Sequence, residues 1–567
     1  MDKLIRNKYW WLIALLVLVG INWAASLLHW RLDLTQEKRY TLSPATIRLL
    51  DNLDDKVTIT VFLEGDMPAG FRKLTNSTRE LLQEFRESAV SHIQFNFVRP
   101  SAPTADSTGT LSMDSLMSLG LKPTNVRVRA RIGEGEENRY LFPGALVTYK
   151  DRVEVVDLLQ GQDMMGGLQS LNNAEALLEF KFAQAIQKLT IETPPVVGYL
   201  LGNGEPFSYN VYDLIQRTLK PGYGFGFVPI DSVPLIPMDF DVLLVVKPTS
   251  PFSDAQKLKL DQYVMQGGKI IWLIDKLYAE MDSLLRKQSD FVAFDRGLNL
   301  DDLLFRYGAR INGDLLQDLE CDQLPLAVGS FGDRPQLELL PWQYFPLLSG
   351  YSHHPISDNL DKVLSIFPNS LDTVKAPGIR KTVLLASSPN ARLLTTPAIV
   401  SLNSVKTEDD LKTFNKPHIP VAVLLEGRFS SLYANRLSKG IMDTLAGLYG
   451  QPFRAAPVNE NKMIVVADAD IVSNVFTQKE GPLPMGYNQF TNYQYANREF
   501  FLNCVEYLVN PSGIMETRSK RFALRSLDPV RVEEDKTAWQ LFSLAGPVAL
   551  IALFGFGYQW LRKKKYQ

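Results

Sequence analysis

The first place to look for chemistry in this 567-residue chain is Gly202-Asn203-Gly204-Glu205, which directly follows the apolar run VVGYLL, Val196 to Leu201. In open α/β sheets ligands collect beyond the carboxyl ends of the strands, so a small loop carrying Glu205 stands where a binding residue is expected. Asp275, just past the run KIIWLI, is the second candidate for the same ligand-binding crevice. Two closely spaced glycines also make an ordinary tight turn. Asp468 and Asp470 in VVADADIV put carboxylates at a further strand end, although capping of turns and helices is the usual role of aspartate there.

Other chemistries are excluded by spacing. GYGFGF, Gly222 to Phe227, lacks the G-x-G-x-x-G pattern and is followed by Pro229 and Pro234, so it does not open a nucleotide-binding helix. No G-x-x-x-x-G-K-[ST] occurs, and any ATP-driven work must come from a partner. His353-His354 has no third histidine or carboxylate at a recognised ligand spacing, and no metal or cofactor is expected. Nor does a serine or cysteine stand on a G-x-S-x-G elbow: Cys321 lies in polar DLECDQLP and Cys504 within a helical pattern, which disfavours a hydrolase. Two distant cysteines make no disulfide scaffold; they either pair or stay free.

The elements that must position these residues fall into two textures. Ser43-Pro44 before ATIRLL reads as a helix start. VTITVFL alternates as a half-buried strand, and Leu81, Leu82, Phe85 and Ala89 share a helical face before the strand FNFVRP. VRVRARI, with Arg127, Arg129 and Arg131 on one face, and ALVTYKDRVEVVDLL read as antiparallel strands. A helix through Leu178, Phe182, Ile186 and Leu189 then stops at Thr193-Pro194-Pro195. From Val196 onward the strands VVGYLL, DVLLVV, KIIWLI, TVLLA, VAVLL and MIVVA are continuously apolar, as strands covered on both faces are. Helical patterns alternate with several of them. Ser253 and Gly267 frame one helix, Gly308 ends another, and REFFLNCVEYLV closes the series.

Both chain ends carry long uncharged runs. Tyr9 to Trp30 holds no acidic residue, lysine or arginine and is preceded by Lys3, Arg6 and Lys8. A cleaved leader is the alternative, but the apolar core is too long and Leu27-Leu28 follows the small residues. Thr537 to Leu561 is the second span, with Arg562 to Lys565 beyond it. Basic clusters outside both spans predict cytoplasmic termini and an extracytoplasmic bulk. Leu339 to Ser357 also lacks acidic residues, lysine and arginine, but Pro341, Pro346 and Pro355 make it read as a loop. With 22% charged residues and a net charge of −2, nothing favours nucleic acid.

The spans, the stretch RLDLTQEKRYTLS from Arg31 to Ser43, GNGE after VVGYLL, the segment Asp241 to Asp275 and the late VVADADIVSNVF together resemble the GldG family of gliding-motility-associated ABC transporter auxiliary proteins. The resemblance implies a Bacteroidota inner-membrane complex with a separate ABC permease and ATPase. It also implies a large domain similar to class I glutamine amidotransferase-like folds, here without the elbow cysteine and so inactive. The expected fold is α/β, with two terminal transmembrane helices flanking a smaller α+β domain and a larger open, mostly parallel α/β domain. Its divisions are a cytoplasmic start (1–8), a transmembrane helix (9–30), the periplasmic α+β domain (31–193), the periplasmic α/β domain (194–511), a linker (512–536), a second transmembrane helix (537–561) and a basic tail (562–567).

The expected role is a non-enzymatic subunit coupling permease and ATPase to an envelope process, with self-association open. The alternative is a tethered ligand-binding sensor using Gly202, Gly204, Glu205 and Asp275. Asp33, Thr35, Glu37, Lys38 and Arg39 form a dense mixed-charge set just outside the first span, read either as a solvated stalk or as a surface docking the permease.

Overall fold

The computed structural model describes residues 15–22, 41–65, 67–89, 92–100, 113–121, 123–129, 136–159, 167–281, 290–331, 334–402, 408–447, 450–519 and 529–566. Two compact units are present, 1–521 and 522–567.

Within the first unit the chain enters helix α1 (Pro44–Asp51) through a cap that the sequence announces. The Ser43 hydroxyl accepts from Thr46 N at 3.1 Å and Pro44 takes the first helical position. The Glu179 carboxylate then accepts from Ser43 N and from the Thr46 hydroxyl, at 2.7 and 2.8 Å, which ties α1 to a helix more than 130 residues away. Strand β1 (Val57–Val61) buries Val57, Ile59 and Val61 completely. Helix α2 (Ala69–Ser88) crosses over to β2 (Ile93–Phe97), which lies parallel to β1. On the other side of β1 runs the antiparallel hairpin of β3 (Gly144–Tyr149) and β4 (Arg152–Asp157), giving a four-stranded sheet in the order β2-β1-β3-β4. Helix α3 (Gly167–Thr190) packs on β4 and α2 and seals this sheet. Backbone of the expected VRVRARI strand is described only to Arg129, paired antiparallel with Glu136–Leu141; the arginine side chains and Arg131 lie outside the described residues.

The continuous apolar runs build a seven-stranded sheet. Its members are β5 (Val196–Leu201), β6 (Gly224–Pro229), β7 (Val242–Val246), β8 (Lys269–Leu273), β9 (Ile379–Ala386), β10 (Pro420–Gly427) and β11 (Asn461–Val466), in the spatial order β9-β10-β11-β8-β7-β5-β6. Strands β6, β5, β7, β8 and β11 are parallel; at one side β10 pairs antiparallel with β11, and β9 in turn pairs antiparallel with β10, which returns it to the common direction. All five residues of β7 are fully buried, as the absence of alternation in the sequence implies. Gly198 and Gly226 sit opposite each other in register, and a Cβ on either would stand 3.0 Å from the Phe240 ring, which explains glycine in the middle of β5 and β6.

The helix between β7 and β8, α4 (Asp254–Met265), opens on a complete capping box between Ser253 and Gln256 and is followed by Gly267 at φ +104°. Helix α5 (Asp301–Tyr307) ends on Gly308 at φ +107°. Helix α6 (Asn497–Val509) closes the series with Cys504 buried in the core. The same continuous apolar cluster contains residues of both sheets.

Between β8 and β10 the chain makes a largely β excursion that the alternating α/β pattern did not reveal. Short antiparallel pairs enclose a second apolar cluster around Trp342, Tyr344, Phe345 and Phe367. Here one expectation is overturned: Leu339 to Leu348 is not loop but the end of a strand, Arg334–Leu348, paired with Cys321–Phe331. Pro341 faces Gln323 and Pro346 faces Cys321, so the two prolines flank a break in register. Proline is compatible with a strand at such an irregularity because no regular ladder bond is asked of it there. Only the segment beyond Leu348 lacks strand structure, apart from a bridge between Ser349 and Ala386.

In the second unit, helix α7 (Pro529–Tyr566) keeps Pro547 within it and exposes Leu544, Leu550, Phe554 and Trp560. Its stretch Lys536–Lys564 is long and apolar enough to cross a membrane. Of the N-terminal run, residues 15–22 are helical and exposed, and the rest lies outside the described residues.

Candidate functional site

The turn after β5 is closed inward. Gly202 and Gly204 adopt φ of +142° and +80°, and a Cβ on Gly204 would meet the Thr249 hydroxyl at 2.1 Å. Asn203 O accepts from Thr249 N and Ser250 N at 2.8 and 2.9 Å, so the turn is locked to the chain leaving β7. Glu205 is 4% exposed, and its Oε2 accepts from Gly202 N at 3.0 Å and Asn203 N at 2.7 Å. Burial, with a smaller contribution from the Asp231 charge, raises its pKa above the usual carboxylate value, against the pull of its backbone hydrogen bonds. The Tyr199 hydroxyl donates to Pro206 O at 2.5 Å from below. Glu205 thus caps its own turn.

Asp275 belongs to a different network, which the sequence did not predict. Lys247, the first residue after β7, places its ammonium 2.6 Å from Asp470 Oδ1 and 3.2 Å from Asp275 Oδ2. Asp275 Oδ1 accepts from Ala469 N at 2.6 Å. Asp468 accepts from the Ser365 hydroxyl, from Ile366 N at 2.8 Å and from Asp470 N at 2.7 Å. The carboxyl ends of β7, β8 and β11 are therefore joined by one lysine and three aspartates, at the edge where ligands of open sheets gather.

Burial works against the Lys247 ammonium, but Asp470 and Asp275 outweigh it and hold its pKa above the ordinary lysine value. Burial pushes Asp275 and Asp468 upward, Asp275 against the attraction of Lys247. Asp275 and Asp468 are 8% and 1% exposed. With its acids turned onto protein donors, this arrangement clasps three strand ends. Lys247 was missed because KPTSP after an apolar run reads as a solvated loop. Its position at the end of a doubly covered strand was the signal that could have found it.

Glu205 and Asp275, expected to share a crevice, stand in separate hydrogen-bond networks. Asp33, Thr35, Glu37, Lys38 and Arg39 lie outside the described residues. No group of three or more metal-ligating side chains suited to an ion occurs among the described residues. Cys321 is a free thiol whose pKa is pushed up to about 12, by burial first and then by Asp318, Asp322 and Glu320.

His354 has a structural role. Its ring packs edge-on against Tyr507, and Nδ1 accepts from Ile356 N at 3.3 Å, which requires the neutral form. Burial, aided by Lys462 and Arg380 and opposed by Glu426, holds its pKa down to about 4. The unfolded chain takes up that proton near the ordinary value of 6.5, so His354 costs nothing above about pH 6.5 and progressively destabilises the fold as pH falls toward 4. A melting-temperature profile should therefore drop across that window, and His354→Gln should flatten the drop. An unchanged acid limb would show that His354 does not contribute.

Residues 194–504, more than half of the chain, match the ABC transporter auxiliary family, described as an ABC-type uncharacterized transport system. The chain belongs to the ABC transporter auxiliary family. As a member it is an accessory component of an ABC-type transport system. A second match, residues 36–148, is to a domain of unknown function (DUF7088) and covers α1, α2, β1, β2 and all of β3 but its last residue. Among solved structures, the chain is similar to one titled mmIFT52 N-terminal domain, at 13% identity and a TM-score of 0.30, covering 56% of this chain and 97% of that one. A likeness so distant says nothing of function. No curated protein matches.

Proposed function

We propose that this ABC transporter auxiliary protein is a non-enzymatic, membrane-anchored periplasmic subunit that couples an ABC permease and ATPase to an envelope process associated with gliding motility. The family match carries this reading, because it makes the chain an accessory component of a transport system. Two further observations support it. The sequence has no P-loop and must borrow ATP hydrolysis from another subunit. The helix Lys536–Lys564 has the length and composition of a membrane anchor, and Arg562 to Lys565 at its end mark the cytoplasmic side by the positive-inside rule.

The run Tyr9 to Trp30, first in the chain, is the other anchor, so that both termini are cytoplasmic and the two sheets stand outside the inner membrane. The large sheet is a relative of the amidotransferase-like folds that has no nucleophile. Asp33, Thr35, Glu37, Lys38 and Arg39, immediately outside the first anchor, dock on the outer loops of the permease. The Gly202–Glu205 turn and Asp275 are structural in this reading, since Glu205 Oε2 and both Asp275 oxygens are bound by groups of the fold itself.

Alkaline washing of membranes tests the anchoring. The full chain, and variants lacking either 9–30 or 529–567 alone, should stay in the pellet, whereas a variant lacking both should be released. Release of the full chain would refute the two anchors.

A further inference from the structure

The seven-stranded sheet ends on two strands of opposite character, β9 and β6. Strand β9 carries Arg380 and Lys381 and breaks register against β10 near Val383 and Leu385. Charges and bulges of this kind keep a sheet edge from pairing with another chain. Strand β6, Gly-Phe-Gly-Phe-Val-Pro, has no charged residue and stays in unbroken register with β5 from Gly224 to Pro229.

Successive residues of a strand turn their N–H and C=O groups to opposite sides. Gly224 N donates to Pro195 O at 2.9 Å and Ile230 N to Leu201 O at 2.8 Å, so the even-numbered residues of β6 face β5. Phe225 and Phe227 therefore aim their backbone groups out of the sheet, and among the described residues no strand pairs with that edge. Pro229 is turned outward too, where the ladder with β5 asks no N–H of it, and it ends the free edge.

The side chains along this edge are apolar. The Phe225 and Phe227 rings meet edge to face at 5.2 Å, and Phe227 packs on Tyr199 at 5.9 Å. Phe227 is nevertheless 47% exposed. An uncharged edge with free backbone groups beside an exposed aromatic ring is a template for another strand.

The order of residues along the edge selects that strand. Phe225-Gly226-Phe227 reads the same in both directions, so a two-fold axis at Gly226 sets Phe225 opposite Phe227 of a second copy, and Phe227 opposite its Phe225. Both are residues with outward backbone groups, so each pair exchanges two N–H···O bonds, as the hydrogen-bonded pairs of an antiparallel ladder do. Phenylalanine then faces phenylalanine across the seam. Charge also permits the match: a charged strand laid against its own copy brings like charges together, and β6 has none to bring.

We propose that the outer edge of β6 pairs antiparallel with β6 of a second copy of this chain, about a two-fold axis at Gly226, joining the two seven-stranded sheets into one. The pairing does not rest on the transport reading.

The test uses the full chain, produced without transport partners and solubilised in mild detergent. Sedimentation velocity over a range of concentrations should show a monomer passing to a dimer. Hydrogen exchange of peptides spanning β6 should show the Phe225 and Phe227 amides open in the monomer and protected in the dimer. Phe227→Lys places a charge in the seam and should weaken dimerisation at least about tenfold, while Phe227→Leu keeps it. The melting temperature of dilute, monomeric Phe227→Lys shows that the variant folds, and exchange of the unaltered chain tests the edge without any variant. A chain that stays monomeric at every concentration would overturn the proposal, as would a dimer in which the two amides exchange freely. Protection already complete in the monomer, or a chain of different sequence found paired with β6, would overturn it as well.

Discussion

Replacing Lys247 by methionine is expected to destabilise the folded chain by about 3–5 kcal/mol, the range for removing one partner of a buried ion pair. Methionine retains most of the buried stem but removes the ammonium that lies 2.6 Å from Asp470 and 3.2 Å from Asp275. Three aspartates at the ends of β8 and β11 would then lose the lysine between them, leaving Arg296 as the cation that acts on Asp275. Asp275→Asn should cost less, because burial already raises that carboxyl and the amide is a neutral isostere. Denaturant unfolding of the solubilised full chain measures both, and the double variant gives the coupling between Lys247 and Asp275. If Lys247→Met cost under about 1 kcal/mol, as exposed pairs do, the cluster would not be the clasp described above.

Trp342→Ala should cost a similar amount, about 3–5 kcal/mol, but in a different part of the molecule. Trp342 is 1% exposed, and its ring lies 5.0 to 5.5 Å from those of Tyr344, Phe345 and Phe367. These residues form an apolar cluster distinct from the one between the main sheets. Hydrogen exchange should therefore show protection lost in the strands Cys321–Phe331, Arg334–Leu348 and Ala398–Ser401 while β5, β7 and β8 keep theirs. Uniform loss across the unit would mean that the two clusters unfold as one.

The contrast between these sites shows what a linear pattern can carry. Helix ends were legible because their determinants are local: Ser43, Ser253, Gly267 and Gly308 act within a few residues of themselves. The parallel strands were legible because burial on both faces leaves uninterrupted apolar runs. The long hairpin was not, because Pro341 and Pro346 are ordinarily loop signals and are tolerated only where its register breaks.

The candidate site was legible in position and not in content. GNGE does lie at a strand's carboxyl end, yet nothing in its spacing says that Glu205 turns back on Gly202 and Asn203. The Lys247 clasp unites residues separated by 223 positions. Such contacts are set by topology, which spacing along the chain does not encode.

The central claim is that this chain works as an accessory subunit of an ABC assembly. Affinity purification of the intact protein from its native membranes in mild detergent, with ATP hydrolysis assayed on the eluate, tests it most directly. The expected result is a complex containing a permease and an ATPase, active although this chain has no P-loop, and weakened when Glu37, Lys38 and Arg39 are reversed in charge. A protein that elutes alone and without ATPase activity would contradict it.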